Sequence, residues 1–224
     1  MTLHHSLVLE MAAFLAWNSV TAAPTVLGVV LGADRAHLNS GALSEGATVY
    51  DGDHFSTEAG GMLRLRGNAA TLELAGESTV IVRSGASSAQ STEAELSKGT
   101  LVFRTTRAAA LEIAAQEALI RPAGDARTIG QVSIIGPKEL HIYARRGSMQ
   151  FSYRGEMQTI AEGEFYRVIL DLSEDATKKK DAVNPAGRGK AFLFVAIGGG
   201  GAGLVAVFFE NRRHKHVESP DRPD

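Results

Sequence analysis

The chain has 224 residues, a formal net charge of -2, 44% hydrophobic residues and no cysteine. That length can enclose one domain with a substantial core, and the near-neutral balance argues against a general nucleic-acid surface. Without cysteine there can be no disulfide, thiolate metal site, cysteine nucleophile or lipid-modified cysteine, so an exported product must be held by packing alone.

Residues 1–22 read as an export signal. An apolar stretch from Leu7 leads to Val20-Thr21-Ala22, which puts small residues where a signal peptidase inspects the chain, with cleavage before Ala23. The segment carries Glu10 and no Lys or Arg, which leaves an uncleaved anchor helix as the alternative.

The middle of the chain is strand-like. Leu63 and Leu65 alternate with Arg64 and Arg66, Leu72 and Leu74 with Thr71 and Glu73, and Met149, Phe151 and Tyr153 with Gln150 and Ser152. Such period-two patterning predicts strands with one buried face. Further strands are expected at 26–31, 79–83, 101–105, 111–114, 119–121, 131–135, 140–144 and 165–170. Only 92–96 and 107–118 offer candidate helices, and Leu111-Glu112-Ile113 inside the second alternates instead. Many short strands with regular turn signals predict an all-β domain: a sandwich, a jelly roll or a short solenoid.

Gly46, Gly99, Gly147 and Gly163 each follow a charged residue and stand before a strand, and Gly52 and Gly61 punctuate the segment between the first two. These six are expected to be structural turn glycines, supplying the positive φ that tight turns require. Their unequal spacing argues against a fixed-period repeat.

The search for chemistry returns little. His54 with Asp51 and Asp53 is the one cluster resembling a metal or general-base site, and Asp51-Gly52-Asp53 is equally good turn chemistry, the preferred reading. His37 and His141 sit in strand-like surroundings, and no serine lies in a nucleophile elbow to pair with them. Gly187-Arg188-Gly189-Lys190-Ala191 lacks the Ser or Thr that a phosphate-binding loop places after its lysine. No catalytic, cofactor-binding or metal-ligating residue is therefore assigned.

Past the strands, 173–190 with Lys178, Lys179 and Lys180 reads as a solvated stalk. Residues 191–209, AFLFVAIGGGGAGLVAVFF, carry no charge and suit a helix crossing a hydrocarbon layer ~30 Å thick. Gly199 and Gly203 have the small-xxx-small spacing that lets two spans approach, so a homodimer through this helix-helix contact is possible. Residues 210–224 form a short tail. Basic residues flank the span on both sides, so the export signal sets the expected orientation, with the β domain outside and the tail in the cytoplasm.

The stretch from LGVVLGADRAHLNSGALSEGATVYDGDHFSTEAGGMLRLRGN to STVIV resembles the opening of the FecR-type domain, with Gly46, Gly52, Asp53, Thr57, Gly61, Leu63, Leu65, Leu72, Leu74 and Ser78 at the matching places. AELSKGTLVF, LEIAAQEALIRPAG and LHIYARRGSMQFSYRGEMQTIAEGEFYRV resemble its later strands, and the domain so delimited covers 26–172. The resemblance implies an extracytoplasmic all-β domain. Family members that signal to a sigma factor carry a cytoplasmic helical segment ahead of the membrane span; here the order differs and the tail is short, so the anti-sigma role is not carried over.

Two functional readings follow. The first is a non-catalytic module in the bacterial envelope, anchored in the inner membrane and acting on a protein partner through strand edges, without nucleic acid. The alternative is a module binding carbohydrate or cell-wall polymer, which would need an exposed row drawn from Tyr143, Phe151, Tyr153, Phe165 and Tyr166.

Overall fold

A computed structural model describes residues 24–68, 70–85, 91–107, 110–170, 192–196 and 206–207. The expected export signal (1–22), stalk (173–190) and tail (210–224), with both Gly199 and Gly203, lie outside these residues.

The described chain is all-β. Its first strands are β1 (Val26–Leu38), β2 (Gly41–Ala42), β3 (Thr48–Tyr50), β4 (Asp53–Gly67), β5 (Ala70–Leu74) and β6 (Thr79–Ser84). The middle of the chain forms β7 (Thr92–Thr105), β8 (Leu111–Ala115), β9 (Ala118–Pro122) and β10 (Thr128–Gly136). Beyond these come β11 (Glu139–Arg146), β12 (Met149–Tyr153), β13 (Glu156–Ile160), β14 (Phe165–Leu170), β15 (Phe192–Ala196) and β16 (Ala206–Val207).

Two long strands organise the rest. The first part of β4 pairs with β6 and its last part with β5, and β7 likewise pairs with β6 and β8 before Gly99 and with β5 and β10 from there on. Two layers result, sharing β4 and β7. One runs β1-β4-β5-β7-β10-β11-β14-β15; the other runs β4-β6-β7-β8-β9-β12-β13. Phe103 and Leu101 from the first layer meet Phe55, Phe151 and Ile120 from the second in one continuous core. Each such side chain contributes about 1.5 to 3 kcal/mol when fully buried.

The expected helices are strands. In 92–96, Thr92, Ala94 and Leu96 are buried while Glu93 and Glu95 are half-buried, which is period two, so the segment opens β7. In 107–118, Leu111, Ile113 and Ala115 point inward and the chain reverses at Gln116 and Glu117, whose φ of 50° and 65° no helix accepts.

Gly99 is not at a turn before a strand but in the middle of β7, with φ at 84°. A Cβ there would stand 2.3 Å from Ser78 Oγ. The buried parity of β7 changes at this point, from Thr92, Ala94 and Leu96 to Leu101, Phe103 and Thr105, so the bulge at Gly99 passes the strand from one layer to the other. Fully buried Ser78 locks it: Ser78 Oγ accepts from Thr100 N at 2.9 Å, and Ser78 N donates to Thr57 Oγ1 at 3.0 Å. Thr57 Oγ1 in turn donates to Ala75 O at 2.5 Å. Gly61 also differs from the turn expectation. It lies inside β4, where a Cβ would come within 2.8 Å of the carbonyl oxygens of Asp34 and Arg35 on β1, so it is needed for close approach of two backbones.

The expected membrane span departs from its prediction where it is described. Phe192–Ala196 pairs antiparallel with β14, from Leu170↔Phe192 to Tyr166↔Ala196, and Ala206–Val207 pairs with β15. Phe-Leu-Phe-Val suits a strand as well as an apolar helix, and the outer backbone of β14 offers a ladder to complete. Among the described residues no helix is long and apolar enough to cross a membrane.

Candidate functional site

The cluster of Asp51, Asp53 and His54 resolves into turn contacts. Asp53 Oδ2 accepts from Tyr50 N at 2.8 Å, closing the β3–β4 turn, and Asp51 Oδ1 accepts from Ser84 N at 2.6 Å, tying that turn to the end of β6. No group of three or more His, Asp or Glu among the described residues is placed to hold a metal ion. His37 Nε2 lies 2.8 Å from Glu58 Oε1, across the point where β4 bulges away from β1. Gly46, Gly52, Gly147 and Gly163 take φ between 69° and 84°.

His141 belongs to a polar and aromatic ladder on the outer surface of β11 and β14. Arg167 donates to both carboxylate oxygens of Glu139, at 2.7 and 2.9 Å. This bidentate bond, reinforced by His141 at 3.3 Å, holds the Glu139 carboxyl below its ordinary pKa. Phe165 packs edge-on against His141 and Tyr143, and Arg145 stacks over Tyr143. Of the aromatics that a polymer-binding row would need, Phe151, Tyr153 and Tyr166 are buried in the core. Tyr143 and Phe165 are left on the outside, half-buried and turned against each other.

A bare sheet edge lies at the end of the second layer. β12 and β13 form a hairpin whose two loop residues, Arg154 and Gly155, take φ of 50° and 82°, the type I′ geometry. Tyr153 and Glu156 close the turn as a hydrogen-bonded pair, and the pairs alternate from there. The N–H and C=O groups of Met157 and Thr159 therefore point away from β12, and no strand pairs on that side among the described residues. The Thr159 carbonyl accepts instead from its neighbour Gln158 Nε2 at 2.9 Å, and the Met157 side chain is 64% exposed. This strand was missed in the sequence. Glu156, Met157 and Thr159 are exposed, so no apolar alternation marks them, although Arg-Gly between two runs of similar length was a turn signal.

No protein-family model matches the chain. No curated protein matches it either. Among solved structures it is similar to two crystal structures of a "putative anti-sigma factor" from Parabacteroides distasonis ATCC 8503, at 1.65 and 2.50 Å resolution. Each is 12% identical, with a TM-score of 0.44, over 52% of this chain and 54% of that one. The chain thus spans about half the length of the structures it matches.

Proposed function

We propose that the chain is a non-catalytic, FecR-like module of the bacterial envelope that captures a protein partner by strand addition at β13. The observation that carries this reading is the unpaired outer backbone of β13 beside an exposed Met157. An edge of this kind gives a partner strand its main-chain hydrogen bonds, and Met157 supplies an adaptable apolar contact. In this reading the export signal delivers the β domain across the inner membrane, and in the bilayer residues 191–209 exchange the β14 ladder for a helix that anchors the domain there, a span whose Gly199 and Gly203 suit helix pairing.

Met157→Pro isolates the edge. The Met157 N–H takes no part in the β12–β13 ladder, so proline removes a donor that faces outward and leaves the hairpin paired. With a photo-crosslinking side chain at Gln158 in living cells, the expected result is a discrete cross-linked partner that disappears in Met157→Pro, at an unchanged unfolding midpoint. A cross-link that persists in the variant overturns strand capture. Topology is tested separately, with a reporter active only outside the cytoplasm fused after Leu170 and, in a second strain, after Asp224. Activity at the first site and silence at the second is expected; the reverse pattern removes the envelope assignment.

A further inference from the structure

The outer surface of the first layer is basic, in a chain whose overall charge is -2. Pairing across β4, β5 and β7 sets Arg66 opposite Thr71 and Thr71 opposite Arg104, in the row next to Arg64, Glu73 and Val102. Strand spacing of about 4.8 Å places Arg66 and Arg104 roughly 10 Å apart on the same face. Arg127, just before β10, closes the end of a trough of about 570 Å³ whose floor includes Gly67, Ala70 and Val102. That volume is of the size that takes small ligands.

The charges in the trough are unbalanced. Glu73 is the single carboxylate in the lining and is engaged by Arg64, 3.2 Å away. Arg66, Arg104 and Arg127 are exposed and make no ion pair among the described residues. Three guanidinium groups without a counter-charge around one concavity repel each other unless an anion enters. Asn68, Thr71 and Thr106 add neutral hydrogen-bonding groups to the same rim.

We infer that this trough binds a phosphate ester carrying two or more negative charges. Planar guanidinium forks match phosphate oxygens bidentately, and hydroxyl and amide donors complete a tetrahedral anion better than a planar carboxylate. The lining has no aromatic ring on which a base or a sugar face could stack, so recognition rests on the phosphate groups. The inference is independent of the β13 edge.

The test uses the full-length chain in neutral detergent, titrated with inorganic tripolyphosphate by calorimetry at fixed ionic strength. Saturable one-site binding is expected. The Arg66→Gln/Arg104→Gln double variant should lose at least about tenfold in affinity, since each removes a charge-assisted hydrogen-bonding group, at an unchanged unfolding midpoint. Arg121→Gln, an exposed arginine on β9 in the other layer, should bind as the parent does. The inference is overturned by equal affinity of the double variant, by an equal loss in Arg121→Gln, or by tighter binding of a hexaglutamate peptide than of tripolyphosphate. Competition between tripolyphosphate and phosphatidylglycerol vesicles in detergent-free reconstitution separates the two sources of such a phosphate, a free ester and a lipid headgroup.

Discussion

Phe103→Ala is expected to lower the stability of the domain by about 3 to 5 kcal/mol, close to the upper end for a buried aromatic. Phe103 is fully buried where the two layers meet, and its ring lies over Gly130, its cross-strand partner on β10. A Cβ at Gly130 would approach Phe103 Cζ and Met149 Sδ to 2.5 Å, so ring and glycine fill one another's space. The same geometry makes the two positions dependent on each other. Gly130→Ala alone should cost about 1 to 3 kcal/mol through overpacking, but far less in the Phe103→Ala background, where the ring it strikes is gone. Denaturant titration of the parent, the two single variants and the double variant measures this directly. Additive losses would mean that the ring does not occupy the space over Gly130.

The second large effect concerns the strand that passes between layers. Gly99→Ala should destabilise by roughly 2 to 5 kcal/mol, combining the cost of a left-handed backbone for an L-residue with a collision on a buried hydroxyl. Its φ of 84° and the 2.3 Å approach to Ser78 Oγ both bear on that one methyl group. Gly155→Ala is the matched control. Its φ is 82° but no atom lies within 4 Å of the added carbon, so it should show the backbone cost alone. If the two variants lose equal stability, the Ser78 contact contributes nothing and the crossing is held by backbone conformation only.

The local part of this architecture could be read in the residues. Leu63 with Leu65, Leu72 with Leu74, and Met149 with Phe151 alternate as half-buried strands do, and they are strands. The division of β4 and β7 between two layers was not legible, because it depends on which distant strand each half meets. Gly99 looked like a turn glycine for the same reason: a positive φ serves a turn and a mid-strand bulge equally well. β13 escaped detection because a bare edge needs few apolar residues. Phe192–Ala196 reads both ways in the sequence, since five apolar residues fit a bilayer and a sheet edge alike. The basic trough was hidden by arithmetic over the whole chain. Arg66, Arg104 and Arg127 are far apart in sequence, and register alone brings them to one face while Glu93, Glu95 and Glu112 collect on the other layer.

The sharing of β4 and β7 has a consequence in time. Neither layer can close until both halves of these strands have found partners, and those partners extend from β1 to β10. The parallel β7–β8 pair adds a connection that must loop back before it can be formed. Such non-local pairing slows folding, because the entropy of closing each loop is lost before the contacts repay it. Until β10 has been made, β7 lacks its outer partner in the first layer, so the closure of both layers is expected to come late and together.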